Sequence, residues 1–80
     1  MPRESLNRRL QRLVQDLVVG GVTLDQARRE FERQYVIAAL LHNEGSLGRS
    51  AKALGVHRNT LRNRISTLRI EPGDYESRCR

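Results

Sequence analysis

What the chain lacks narrows its possible roles before any motif is considered. It has a single cysteine, Cys79, with no partner in the chain. One thiol builds no disulfide framework and argues for no oxidising compartment, so Cys79 reads as a free thiol in the cytosol. There is no tryptophan, and the aromatic side chains are Phe31, Tyr35 and Tyr75 alone. A chain of 80 residues has a high surface-to-volume ratio, and so few large apolar groups make a self-sufficient core hard to build. Oligomerisation is expected to supply the rest. No apolar run reaches the length of a membrane span, and no uninterrupted apolar core of the signal-peptide kind is present. A cytoplasmic location with no membrane partner is expected. Strand-like alternation, internal repeats and low-complexity tracts are missing too, which points to one all-α domain.

The most informative absence is of acid. The formal net charge is +6, and its distribution matters more than its size. Residues 1–45 hold seven arginines against six acids, and residues 70–80 hold two against three. Residues 46–69 carry Arg49, Lys52, Arg58, Arg62, Arg64 and Arg69 with no acid at all. A basic block without a compensating carboxylate implies a polyanionic partner. Signs of catalysis are missing. His42 and His57 have no Cys, Asp or Glu at ligand spacing, so no metal is expected. Ser5, Ser46, Ser50, Ser66 and Ser77 have no base and orienting group nearby in sequence, and there is no glycine-rich phosphate loop. The expectation is a binding protein with no cofactor, and not an enzyme.

Leu6, Leu10, Leu13, Val14, Leu17 and Val18 recur at helical spacing and stop at Gly20-Gly21, predicting a first amphipathic helix. Thr23 to Gln26 reads as a capping box, with Val22 and Ala27 placed for a hydrophobic staple. A second helix follows from about Leu24 to His42 or Asn43, with Gly45 set to end it in a left-handed conformation. Its first half carries a stripe of Leu24, Ala27 and Phe31, but "YVIAALL", Tyr35 to Leu41, is apolar all round. Such a turn must be covered on every side, and a second copy of the chain is the simplest cover. Leu10, Leu13, Leu17, Phe31, Tyr35, Ile37, Leu40 and Leu41 are therefore the expected dimer interface. Ser46 is a good N-cap for a third helix to about Leu54, and a fourth is expected from His57 or Arg58 to Leu68 or Arg69. Pro72-Gly73 then closes the pattern, leaving 70–80 as a flexible tail with Tyr75 exposed.

Within the basic block, Ala51, Gly55, Val56, Leu61 and Ile65 form the skeleton Ala-x3-Gly-Val-x4-Leu-x3-Ile. A small residue where two helices cross, a glycine for the turn and apolar plugs after it are the steric requirements of a DNA-binding helix-turn-helix. At about 100° per residue, Leu61, Ile65 and Leu68 share one face of the fourth helix. Asn59, Asn63 and Ser66 point away from it, Arg62 flanks on one side, and Thr60 and Arg64 lie on the other. Arginine pairs two-pronged with guanine and asparagine with adenine, which makes Arg58, Asn59 and Arg62 candidate base readers. Thr60 and Arg64 on the flank suit phosphates, and Arg49, Lys52 and Arg69 lie around the same face to grip flanking ones.

The segment "ALLHNEGSLGRSAKALGVHRNTLRNRI" resembles the Fis family of bacterial DNA-binding proteins, whose fold also forms the DNA-binding domain of sigma-54 enhancer-binding activators. The likeness covers about Leu24 to Ile70 and is most specific in "LGVHRNTLRNRI". It implies two N-terminal helices per subunit interlocked as a dimer, and paired recognition helices that hold bent duplex. By position it makes His57 and Arg58 base readers, with Ser46, Arg49, Thr60, Asn63 and Arg64 on phosphates. It puts Arg62 on phosphate too, so that residue has two candidate roles. Ser46 stands where the family usually has Asn. These residues hold neither the β-hairpin that stimulates recombinases nor an ATPase module, so neither activity is expected of them. The expected partners are double-stranded DNA, a second copy of the chain and RNA polymerase. A transcriptional regulator at the nucleoid is the leading role, with a nucleoid-shaping protein of low sequence preference as the alternative. A protein adaptor fits the arginine-rich exterior poorly, and an RNA binder would need stacking aromatics that residues 46–69 lack.

Overall fold

The computed structural model describes residues 3–75. Five helices follow one another, α1 (Arg3–Val19), α2 (Leu24–His42), α3 (Leu47–Leu54), α4 (Arg58–Thr67) and α5 (Pro72–Tyr75), with no strand among the described residues. The all-α expectation holds, and the four longer helices lie where the sequence signals put them. The capping box is formed: Thr23 Oγ1 accepts from the Gln26 N–H at 3.1 Å, and Gln26 Oε1 accepts from the Thr23 N–H at 3.0 Å.

The four longer helices end alike. In each, an N–H beyond the end reaches back to a carbonyl five residues earlier: Val22 to Leu17, Gly45 to Leu40, Val56 to Ala51 and Ile70 to Ile65. The residue before each of those donors is left-handed, and it is glycine at Gly21 and Gly55. At the other two ends it is Glu44 (φ 55°) and Arg69 (φ 57°), so α2 closes on a left-handed pair, Glu44 and Gly45, and not on Gly45 alone. A side chain in that conformation costs roughly 1–2 kcal/mol relative to glycine.

The core joins the second half of α2 to everything after it. Val36, Leu40, Ala51, Leu61, Leu68 and Ile70 are buried together, flanked by Ile37, Leu47, Leu54, Ile65 and Tyr75. The chain after Ile70 departs from the expected tail. Pro72 opens α5, a place proline suits because it has no N–H to leave unsatisfied. Asp74 Oδ2 accepts from the Glu71 N–H at 2.9 Å and from Arg33 Nη2 at 3.1 Å, which ties α5 to α2. Tyr75 is half-buried against the core, not exposed. Ser77 and Cys79 lie outside the described residues.

No described side chain of α1 belongs to that core. Leu6, Leu10, Leu13, Val14 and Val18 are exposed, as are Leu24, Phe31, Tyr35 and Leu41 of α2. Leu13, Leu17, Val22, Ala27 and Phe31 line an open apolar groove between the two helices. Helix α2 thus has two apolar faces, about opposite on its wheel. One, with Val36 and Leu40, is used within the protomer; the other, with Leu24, Phe31, Tyr35 and Ala38, faces outward. Leu40, expected at a dimer interface, is 0% exposed and completes the protomer's own core.

Candidate nucleic-acid interface

Helices α3 and α4 form the helix-turn-helix that the skeleton predicted. Ser46 caps α3, its Oγ accepting from the Arg49 N–H at 3.2 Å. Leu47, Ser50, Ala51 and Leu54 make the stripe that faces α2 and α4. Ser50 is fully buried and its hydroxyl donates to the Ala39 carbonyl at 3.3 Å. The spacing i, i+3, i+4, i+7 from Leu47 to Leu54 marks Ser50 as inward, a signal that its polar side chain obscured.

Gly55 takes φ 75° and closes α3, so the chain turns toward α4 at once. Val56, expected to plug the helix crossing, is instead 39% exposed. The left-handed turn swings it outward, to the rim of a cleft shared with Phe31, Tyr35, Leu54 and Thr60. His57 then caps α4: Nδ1 accepts from the Asn59 N–H at 3.2 Å. A nitrogen that accepts carries no proton, so in the neutral ring Nε2 is the donor left for a ligand. Helix α4 is anchored by Leu61, 1% exposed, with Leu68 buried and Ile65 half-buried. Asn59, Thr60, Arg62, Asn63 and Arg64 are all exposed, as the wheel requires.

The structure divides the six cations of the block into two groups. Arg49 Nη2 donates to the Asn43 carbonyl at 3.0 Å and lies 3.5 Å from Glu44 Oε1, bracing the end of α2. Arg64 Nε is 3.3 Å from Glu32 Oε2, an ion pair between α4 and α2. Lys52, Arg58, Arg62 and Arg69 make no side-chain hydrogen bond or ion pair within the described residues. Their donors are free for an outside acceptor. Arg58 has one close neighbour of another kind: a Cβ added to Gly48 would lie 2.9 Å from Arg58 Nη2. The acid-free block, uniform along the sequence, is therefore two cations held by carboxylates from α2 and its end, and four unpaired among the described residues.

Comparison with known proteins agrees with this geometry. Residues 27–68 match the sequence profile of bacterial regulatory proteins of the Fis family, just over half of the chain. The chain belongs to the Fis family. The matched residues run from the first turns of α2 through α3 and α4 and leave out α1 and α5. A Fis-type helix-turn-helix is a DNA-binding fold of a regulator, not an enzyme's fold. No curated protein and no solved structure matches the chain. No helix among the described residues is long and apolar enough to cross a membrane.

Proposed function

We propose that this Fis-family chain acts at the bacterial nucleoid as a homodimer that prefers certain duplex sequences, bends its DNA site and regulates transcription there. The observation that carries the reading is the unpaired state of Lys52, Arg58, Arg62 and Arg69 around a recognition helix anchored by Leu61 and Leu68. Four cations without acceptors among the described residues suit a polyanion, and Arg58, Arg62 and Asn59 have the chemistry to read base edges. His57 contributes Nε2 as a donor beside them. Thr60 and Asn63 are exposed on the same helix and Ser46 caps the start of α3, and all three have the chemistry to bond phosphate. Arg49 and Arg64 reach phosphate by exchanging their carboxylate partners for it.

The outward apolar faces of α1 and α2 support the dimer, through Leu10, Leu13, Phe31, Tyr35 and Leu41, with the half-buried Leu17 and Ile37 beside them. A two-fold dimer reads an inverted repeat with half-sites about one helical turn apart. Bending the duplex to admit both recognition helices costs of order 1–6 kcal/mol, so affinity depends on the flexibility of uncontacted central steps. Selection from random duplexes, followed by a circular-permutation mobility assay on the enriched site, tests the reading. An inverted repeat with position-dependent mobility is expected. Binding without enrichment would favour the architectural role, and no salt-sensitive binding to any duplex would sink both.

A further inference from the structure

We infer that Gly48 is a positioning residue that aims Arg58 and thereby sets the base preference of the DNA site; this rests on the DNA-binding reading above. Arg58 is the first residue of α4, directly after the His57 cap, and its side chain runs back across the first turn of α3. A Cβ at Gly48 would lie 2.9 Å from its Nη2 and 3.8 Å from both Cζ and Nε. The Nη2 side of the Arg58 head thus lies over the one residue of that turn that has no side chain.

The backbone gives no reason for glycine at this position. Gly48 is the second residue of α3 and, unlike Gly21, Gly45 and Gly55, is not left-handed. A helix interior takes alanine more readily than glycine, and what a side chain at Gly48 would meet first is the head of Arg58. Nor does the contact serve folding through charge. A guanidinium beside the N-terminal end of a helix faces the positive pole of the helix dipole, and Arg58 has no carboxylate partner among the described residues. On this inference the bare backbone of Gly48 seats the Arg58 head in a place that a methyl group would take. Two-pronged pairing with a guanine edge needs the guanidinium plane held in one orientation, and a group already held loses less freedom on binding. Among the four unpaired cations, it is Arg58 that supplies the three atoms nearest to that Cβ.

The test uses the full chain. A randomised duplex pool yields the preferred duplex for the wild type. Wild type, Gly48→Ala, Arg58→Ala and the double variant are then titrated against that duplex and a scrambled one of equal composition. The methyl group of Gly48→Ala meets only the far end of a flexible side chain, so the fold accommodates it and the thermal midpoint stays or rises. The ratio of affinities for preferred over scrambled duplex should fall about tenfold, within the range for one lost two-pronged base contact. The double variant should lose no more than Arg58→Ala alone, because both substitutions act through the same side chain. An unchanged ratio in Gly48→Ala, additive losses in the double variant, or a lowered midpoint would each overturn the inference. A wild type that binds duplex but enriches no sequence fails earlier, before any variant is made, and takes the inference with it.

Discussion

Leu13→Asp should split the proposed dimer while leaving each helix-turn-helix folded. Leu13 lies in the middle of α1, 51% exposed in the protomer, and contributes nothing to the buried core around Leu40 and Leu61. Covering the exposed half of a leucine is worth about 1 kcal/mol, taking 1.5–3 kcal/mol for a whole side chain. A polar group buried in its place without a partner costs about 1–3 kcal/mol more. With about 3 kcal/mol lost per copy and two copies per dimer, dissociation becomes easier by about 6 kcal/mol. At about 1.4 kcal/mol per tenfold, the dimer Kd rises about ten-thousand-fold. Sedimentation velocity across a micromolar concentration series reads this directly, with helix content followed by circular dichroism. Leu40→Asp is the contrast: that side chain has no exposed surface in the protomer, so the variant unfolds rather than dissociates. A wild type that sediments as a folded monomer, or a Leu13→Asp dimer with a Kd within about tenfold of wild type, would refute the reasoning.

Three further outcomes follow from the pairing of the cations and the packing of α3. Glu32→Gln removes the partner of Arg64, a half-exposed pair worth less than about 1 kcal/mol to stability, so the melting curve should barely move. Duplex affinity should rise and its salt dependence steepen by about one unit per protomer, since a cation is released to phosphate; weaker binding in a salt titration would show that Glu32 instead holds Arg64 in place for DNA. Arg69→Gly relieves a left-handed side chain at the end of α4 and should raise the denaturation midpoint, while loss of an unpaired cation lowers duplex affinity. Unchanged affinity at low salt would remove Arg69 from the phosphate contacts. Ser50→Ala should cost only about 0.5–1.5 kcal/mol in chemical denaturation, because the Ala39 carbonyl keeps its bond from Asn43 Nδ2 at 2.8 Å. Ser50→Leu should cost more, by forcing α2 and α3 apart, and equal losses for the two would mean the crossing is loosely packed.

The sequence alone determined much of what depends on residues within a turn of one another, though not the left-handed Glu44 and Arg69. The Thr23–Gln26 box, the Ser46 cap and the left-handed Gly55 are each decided by a hydrogen bond or a φ angle among near neighbours, and each is found where the residue types put it. The inward placement of Leu61, Ile65 and Leu68 was legible for the same reason, since helical periodicity carries a face along a single element. What depended on distant surfaces meeting was not legible. "YVIAALL" is apolar on all sides, so only the packing of α3 and α4 onto α2 could decide that Leu40 is enclosed while Tyr35 and Leu41 stay outside. Pro72-Gly73 reads as a stop by local rules, yet Asp74 finds Arg33, forty-one residues earlier, and the chain docks instead. Arg49, Arg58 and Arg64 look alike in one dimension. Their surroundings in the fold, respectively Glu44, the bare backbone of Gly48 and Glu32, separate two occupied cations from a free one, because a charge's partner is set by proximity in space and not by its place in the chain.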